Sequence, residues 1–344
     1  MLTIPLDIEL DSERWTIERV WPAKPGDDRL PLEARSAGRI QAGYAHPDGT
    51  IELLPPGEDR RLPLLGSVAA AGELIAHRPG RRAVVRLADG GGYAKVVRRG
   101  RGTAVIDAHR SGHAFRAGFA VPGLAEHDFD PDQVVVFESV PGRSLSACGA
   151  DPDLSDAHWQ RAWDDWSQGW LATMAAADPS ALPVHDVEDE RRVIRDWAEH
   201  AASVLGDGEA IRSTGERVSE LLSAAGAPSA LSHRDLHDGQ LLWDPASGIG
   251  LIDLDTCARA DPALDLGNLA AHVDFARAQR RWSASRARIA DAAISRTAAG
   301  LGIDAVRLQS WRRAAQFRVA CVNALRPRWR AVARQELVEL RRTL

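Results

Sequence analysis

A chain of 344 residues, 44% hydrophobic and 26% charged, holds enough apolar material for two lobes around separate cores, which excludes disorder as its main state. Its net charge of -5 gives no electrostatic reason for a nucleic-acid or anionic-membrane partner. Cys148, Cys257 and Cys321 are widely spaced, follow no metal-ligand pattern and cannot all pair within one chain, so a reducing cytoplasm is the expected compartment.

The first ten residues, Met1 to Leu10, lack a basic segment leading into an apolar run, and no later stretch approaches about 18 uninterrupted apolar residues. Neither export nor membrane spanning is therefore expected. Ile40 to Ala45 and Thr50 to Leu54 flank Pro47-Asp48-Gly49 and read as a hairpin. A Pro, Gly and charge-rich connector from Pro55 to Arg61 precedes a short helix over Leu64 to Ala71.

Three short strands follow, Glu73 to His77, Ala83 to Ala88 and Tyr93 to Arg98, separated by Arg78 to Arg82 and by Asp89-Gly-Gly-Gly92. A weak helical pattern covers Thr103 to Ala117, and Gln133 to Phe137 is an apolar run suited to a buried strand that Pro141-Gly142 ends. Beyond Asp151 the period turns helical. Trp159, Trp163, Trp166 and Trp170 share one helix face, where packing is a better explanation than sugar stacking. Helices over Glu188 to Val204 and Ala210 to Ala225, strands within Ala230 to Asp255, and further helices complete the chain.

The chemistry concentrates in Ser232-His-Arg-Asp-Leu-His-Asp-Gly-Gln-Leu-Leu-Trp243 and Gly250-Leu-Ile-Asp-Leu-Asp-Thr256. Phosphoryl transfer to a hydroxyl needs positioning and neutralisation of charge on the phosphoryl oxygens. Asp235, third in His233-Arg234-Asp235, suits a catalytic base that accepts or orients the attacking hydroxyl's proton. Gln240 and Asp253 fall where kinases put magnesium-binding oxygen ligands, and hard oxygens are what magnesium requires. Asp255, two residues on along a segment read as extended, would point to the same side; a structural carboxylate at the strand's end is an equal alternative.

Through these two segments and Asp261-Pro-Ala-Leu-Asp-Leu-Gly-Asn268, in that order, the chain resembles the aminoglycoside phosphotransferase and choline kinase family. The resemblance implies an α+β, two-lobed protein-kinase-like fold: an N-terminal strand-rich extension (1–62), a kinase-like N-lobe with its linker strand (63–140) and a helical C-lobe (141–344). It implies an ATP-dependent phosphotransferase acting on a hydroxyl of a sugar, an aminoglycoside or a similar small molecule, with ATP as co-substrate and Mg2+ as cofactor. Gln240 departs from the family's usual Asn.

The same resemblance assigns Lys95 to the nucleotide phosphates, with Asp107 as the nearest carboxylate partner, and the backbone of Glu138 and Val140 to the adenine. His233 would buttress Asp235, Asp265 would anchor backbone, and His237 would either support the loop, the favoured reading, or contact the substrate. The family's Gly-rich phosphate cover is missing. Arg81 and Arg82 could bind phosphate instead, with a merely solvated basic turn as the alternative. A catalytically idle nucleotide-binding protein is the rival reading. For the acceptor, Asp164, Asp165, Asp186, Glu188, Glu190 and Asp274 could line a pocket for a polycation, whereas Arg312, Arg313, Arg318, Arg326, Arg328 and Arg330 would suit a neutral or anionic acceptor.

Overall fold

Trp15, Ile17 and Val20 are the buried side chains of a strand over Glu13–Val20, and their spacing departs from strict alternation because a bulge between Ile17 and Arg19 inserts one residue. This strand is the second of a five-stranded antiparallel meander: β1 (Asp7–Leu10), β2 (Glu13–Val20), β3 (Leu30–Ser36), β4 (Arg39–Ala45) and β5 (Ile51–Leu53). Only the β4–β5 hairpin carries the turn chemistry that the sequence advertises. The β1–β2 turn puts Asp11 and Ser12 at φ of 52° and 63°, and the β3–β4 turn puts Ala37 and Gly38 at 44° and 83°. Positive φ at both turn residues is the hairpin geometry that Asn-Gly usually signals, here adopted by other residues.

The computed structural model describes residues 4–24, 26–90 and 92–344 and divides into two units. The first comprises Met1–Asp107, Pro122–Ser139 and Asn323–Ala331. After the meander come α1 (Leu65–Ala69) and a four-stranded antiparallel sheet in the order β6 (Gly72–Arg78), β7 (Arg82–Leu87), β8 (Tyr93–Val97), β9 (Val134–Phe137). Leu62, Leu65, Val68, Ala83, Val85, Ala94, Val96, Val134 and Val136 form its core. Gly91, in the turn expected before β8, lies outside the described residues, as do Met1 to Thr3 and Pro25. The division between the units falls within α2 (Gly102–Ser111), and the helix expected as far as Ala117 instead tightens into a 3-10 turn, His113–Ala117, after Gly112.

The second unit comprises Ala108–Val121, Val140–Val322 and Val332–Leu344. β10 (Arg143–Ser144) leads into α3 (Leu145–Ala150), α4 (Asp156–Ala176), α5 (Val187–Leu205) and α6 (Gly208–Leu221). Four short strands follow, β11 (Ala230–Ser232), β12 (Leu241–Asp244), β13 (Gly248–Leu251) and β14 (Ala258–Ala260), then α7 (Ala263–Ala278), α8 (Ala284–Gly300), α9 (Ala305–Ala324) and α10 (Arg330–Thr343). β12 pairs with β10 and β13, and β11 with β14, all antiparallel.

Trp159, Trp163, Trp166 and Trp170 are at most 1% exposed, so the α4 stripe is core. Edge-to-face contacts at 5.7 Å and 5.4 Å link the first three, and Trp159 Nε1 donates to the Arg286 carbonyl on α8 at 3.0 Å. Such indoles each bury about 150–250 Å². They pack α4 against α8. Among the described residues no helix is long and apolar enough to cross a membrane.

Candidate functional site

β11 and β14 hold the start and end of the polar stretch, so that the segment after Ser232 leaves the two-stranded ladder at a fixed point. Asp265, on the first turn of α7 and 2% exposed, lies beneath it: one oxygen accepts the His233 N–H at 2.7 Å and the other the Arg234 N–H at 2.8 Å. Arg234 sits at φ 68°, in the left-handed region that costs a non-glycine residue about 1–2 kcal/mol. The two charge-assisted bonds offset that strain and turn the next residue, Asp235, outward with its side chain 49% exposed. Burial pushes the Asp265 carboxyl above the usual range, against the His233 charge and the backbone donors that favour its ionised form.

His233 is fully buried beside Phe115, and its Nε2 lies 3.1 Å from the Ile252 carbonyl. A carbonyl can only accept, so Nε2 carries the proton, and the buried Nδ1 has no hydrogen-bond partner. The ring therefore buttresses the segment before Asp253 rather than bonding Asp235. Two further bonds lace the same segments: Ile252 N–H donates to the Gln240 carbonyl at 3.1 Å, and Thr256 Oγ1 to the His233 carbonyl at 2.7 Å.

Asp253 follows at φ 61°, ψ 56°, and Leu254–Thr256 is a 3-10 turn rather than an extended segment. Strand alternation thus does not bring Asp255 to the side of Asp253, which corrects the geometry expected for that pair. Gly112 permits the tight fit of this turn, since a Cβ there would come within 2.7 Å of Leu254 Cβ and 3.0 Å of Cys257 Sγ. Burial, then the charges of Asp265, Asp255 and Asp253, push the Cys257 thiol far up, with Arg234 opposing them.

Gln240 is 5% exposed. Its Nε2 lies 3.5 Å from Asp235 Oδ2, and its Oε1 is buried without a hydrogen-bond partner. Asp235 also faces Arg318 on α9, which the sequence offered only as one of several arginines suited to a neutral or anionic acceptor. Arg318 Nη1 lies 3.9 Å from Asp235 Oδ1, Nη2 donates to Asn268 Oδ1 at 2.6 Å, and Nε lies 3.7 Å from Glu190 Oε1. Asn268 Nδ2 in turn donates to the Leu236 carbonyl at 2.8 Å, and Glu190 accepts from His185 at 3.0 Å. A single arginine thus ties α5, α7 and α9 to the loop that carries Asp235. Its position in a run of C-terminal arginines gave no signal that it would differ from the others.

His237 supports the loop. Its Nδ1 accepts the Gly239 N–H at 3.0 Å, its carbonyl accepts the Gln240 N–H at 3.0 Å, and its ring stacks on His272 at 4.9 Å. Asp238, 5% exposed, approaches both rings at 3.8 Å and 3.9 Å, and Arg281 at 3.9 Å.

The expected nucleotide-side residues belong to the sheet-rich unit, except Val140, which belongs to the helical one. Lys95 lies on β8, opposite Val84 and Val135, and is 7% exposed, so it is no ordinary surface lysine. Asp107 lies on α2. Arg81 and Arg82 are exposed at the β6–β7 turn. The Glu138 N–H donates to the Gly123 carbonyl at 2.9 Å, which leaves the Glu138 carbonyl as the group the adenine assignment concerns.

A family model described as the phosphotransferase enzyme family matches residues 74–301, more than half of the chain. Among solved structures the chain is similar to aminoglycoside phosphotransferase APH(3'')-Id from Streptomyces rimosus ATCC10970, with 23% identity, a TM-score of 0.52, and 74% of this chain and 96% of that one covered. It is also similar to APH(2")-IIia, solved as a complex with GDP and kanamycin, at 14% identity and a TM-score of 0.53, covering 78% of this chain and 91% of that one. No curated protein matches the sequence. At these identities the likenesses establish the fold, the α+β protein-kinase-like arrangement that the motifs led one to expect.

Proposed function

The chain belongs to the phosphotransferase enzyme family and is an ATP-dependent small-molecule kinase; from that premise we propose that it transfers the γ-phosphate of ATP to a hydroxyl of a sugar or sugar derivative, with Asp235 as the catalytic base. The carrying observation is Gln240, whose side chain reaches towards Asp235 through Nε2 while its Oε1 is a buried acceptor with no partner. A desolvated, unpaired carbonyl oxygen costs about 1–3 kcal/mol, which a cation would recover.

Gln240 Oε1 and the Asp253 carboxylate are the hard oxygen donors that would hold Mg2+, with Asp255 a further candidate, so the residues fit the ion. When bound, it would neutralise charge on the phosphates. Asp235, carried outward by the bonds from Asp265, accepts the proton of the acceptor hydroxyl. Arg318 holds the orientation of the Asp235 carboxylate, and His233, committed to the Ile252 carbonyl, takes no part in proton transfer. Lys95, Arg81 and Arg82 are assigned to the phosphates, and the Glu138 carbonyl and Val140 amide to the adenine.

A sugar acceptor is favoured because both charge patterns in the sequence are largely consumed inside the helical unit. Arg312 bonds Asp274 and pairs with Asp291, while Arg313 bonds Gln316. Of the carboxylates considered for a polycation, Asp164 pairs with Arg296, Asp165 accepts from Trp243, Asp186 caps α5, and Glu188 pairs with Arg191. Neither set remains as a coherent charged lining. The test is ADP release by purified protein against separate pools of monosaccharides, disaccharides and aminoglycosides, with 31P NMR of the product. A phosphate ester on a sugar hydroxyl is the expected result. Turnover with aminoglycosides alone would overturn the acceptor class, and nucleotide binding without turnover on any pool would favour an idle nucleotide-binding protein.

A further inference from the structure

Asp238 lies in the same loop as Asp235 and Gln240, yet neither the proton transfer nor the magnesium assignment uses it. Its side chain is 8% exposed, and its Oδ2 is buried without a hydrogen-bond partner. A carboxylate oxygen left this way costs about 1–3 kcal/mol or more. Its Oδ1 faces two imidazoles inside the same helical unit: His237 Nδ1 from the loop at 3.8 Å and His272 Nδ1 from α7 at 3.9 Å. One nitrogen of each ring and one oxygen of Asp238 lie within 4.8 Å of one another.

These separations are too long for hydrogen bonds and near those of ligands around a shared ion. With metal–ligand bonds of about 2.0–2.2 Å in a tetrahedron, neighbouring ligand atoms stand about 3.3–3.5 Å apart, so each nitrogen has roughly 0.5 Å to close. The rings have room for it, since the two side chains are 30% and 24% exposed. They now stack at 4.9 Å with their planes 23° apart, and coordination turns them out of that stack. The Gly239 N–H, donating to His237 Nδ1 at 3.0 Å, fixes the tautomer whose lone pair is on that nitrogen. A metal takes over this lone pair at the loss of one neutral hydrogen bond, about 0.5–1.5 kcal/mol.

Arg281 supports the carboxylate from its other oxygen. Its Nη2 lies 3.9 Å from Oδ2 and donates to the Ser146 hydroxyl and, at 3.4 Å, to the Ser146 carbonyl. The oxygen that the histidines do not face is thus the one beside the guanidinium, which orients Asp238 in the way outer partners orient a ligating carboxylate. Two imidazoles and one carboxylate suit zinc and its neighbours, whereas magnesium prefers oxygen ligands throughout.

We infer that His237, Asp238 and His272 form a site for a zinc-class divalent cation, separate from the oxygen donors assigned to Mg2+. The ion ties the loop that carries Asp235 to α7, with water completing its coordination on the solvent side. This inference stands on the geometry of the three side chains and does not depend on the phosphotransferase reading.

The test is calorimetric titration of the chelator-treated full chain with Zn2+, in the presence and absence of excess Mg2+, beside His272→Gln and Asp238→Asn. Cys148, Cys257 and Cys321 are buried, so the folded chain offers no exposed thiol to compete. Glutamine at the partly exposed position 272 suits a helix, and an unchanged melting temperature without zinc will establish that this variant folds. The expected result is one Zn2+ per wild-type chain that Mg2+ does not displace, bound about tenfold or more weaker by each variant. Zinc should also raise the melting temperature of the wild type and leave that of His272→Gln unchanged. A wild type that takes up no stoichiometric Zn2+, or a folded His272→Gln that binds it equally well, would overturn the site.

Discussion

Replacing Asp265 with alanine removes the acceptor for two backbone donors, the His233 N–H at 2.7 Å and the Arg234 N–H at 2.8 Å, in a place water does not reach. Hydrogen bonds to a charged group contribute about 1.5–3 kcal/mol each, so the pair stands for about 3–6 kcal/mol. Without it, Arg234 has nothing to offset its left-handed conformation, and the loop relaxes. In a unit of roughly 200 residues, about 2–4 °C per kcal/mol translates this into a melting-temperature fall of about 6–24 °C. Asp265→Asn keeps one acceptor oxygen and is expected to lose about half as much. Differential scanning calorimetry of both variants with the wild type is the assay. An Asp265→Ala protein melting within about 2 °C of the wild type would refute the view that this carboxylate holds the catalytic loop.

Gln240→Ala is expected to weaken the magnesium dependence of turnover at least tenfold while leaving the fold intact, read as the Mg2+ concentration for half-maximal rate; an unchanged dependence removes Gln240 from the metal site. Arg318→Ala leaves Glu190 and Asn268 without their shared partner and frees the Asp235 carboxylate, so kcat should fall about tenfold or more with KM for ATP unchanged, and a fall in ATP affinity alone would contradict its assigned position. Glu190 is buried, which raises its pKa, but the bonds and charges of His185, Arg318 and Arg234 outweigh burial and the net shift is downward. A depressed carboxyl stabilises above its unfolded value and loses that contribution as pH falls through the folded one. Wild-type stability should therefore decline below pH ~4.3, and Glu190→Gln, less stable at pH 7, should show a shallower decline; parallel pH profiles would refute the linkage.

The loop that carries Asp235 was legible because its motif is local in sequence. Asp235 and Gln240 lie five residues apart, and Asp253 follows an apolar strand that announces itself. The bulge in β2 and the Asp11-Ser12 and Ala37-Gly38 turns hid three strands of the first sheet, because alternation and turn residues both departed from the usual signals. Asp255 was misjudged in geometry because the left-handed Asp253 converts the segment after it into a 3-10 turn. Glu33 and Asp59 stayed invisible, and Arg318 was not foreseen as a neighbour of Asp235, for another reason: each acts on a partner 44 or more residues away, or 18 to 21 in the case of Asp59, and nothing in the chain marks which charged residue will pair at such a distance.

The most direct measurement is ADP release and nucleotide affinity of Asp235→Asn beside the wild type, using the acceptor that the screen identifies. Removal of a positioned general base predicts a kcat lower by about 10²–10⁴ with MgATP affinity preserved and the melting temperature within a few degrees, since Asp235 is half exposed and its Arg318 contact is long. Turnover within about tenfold of the wild type would contradict the account at its centre.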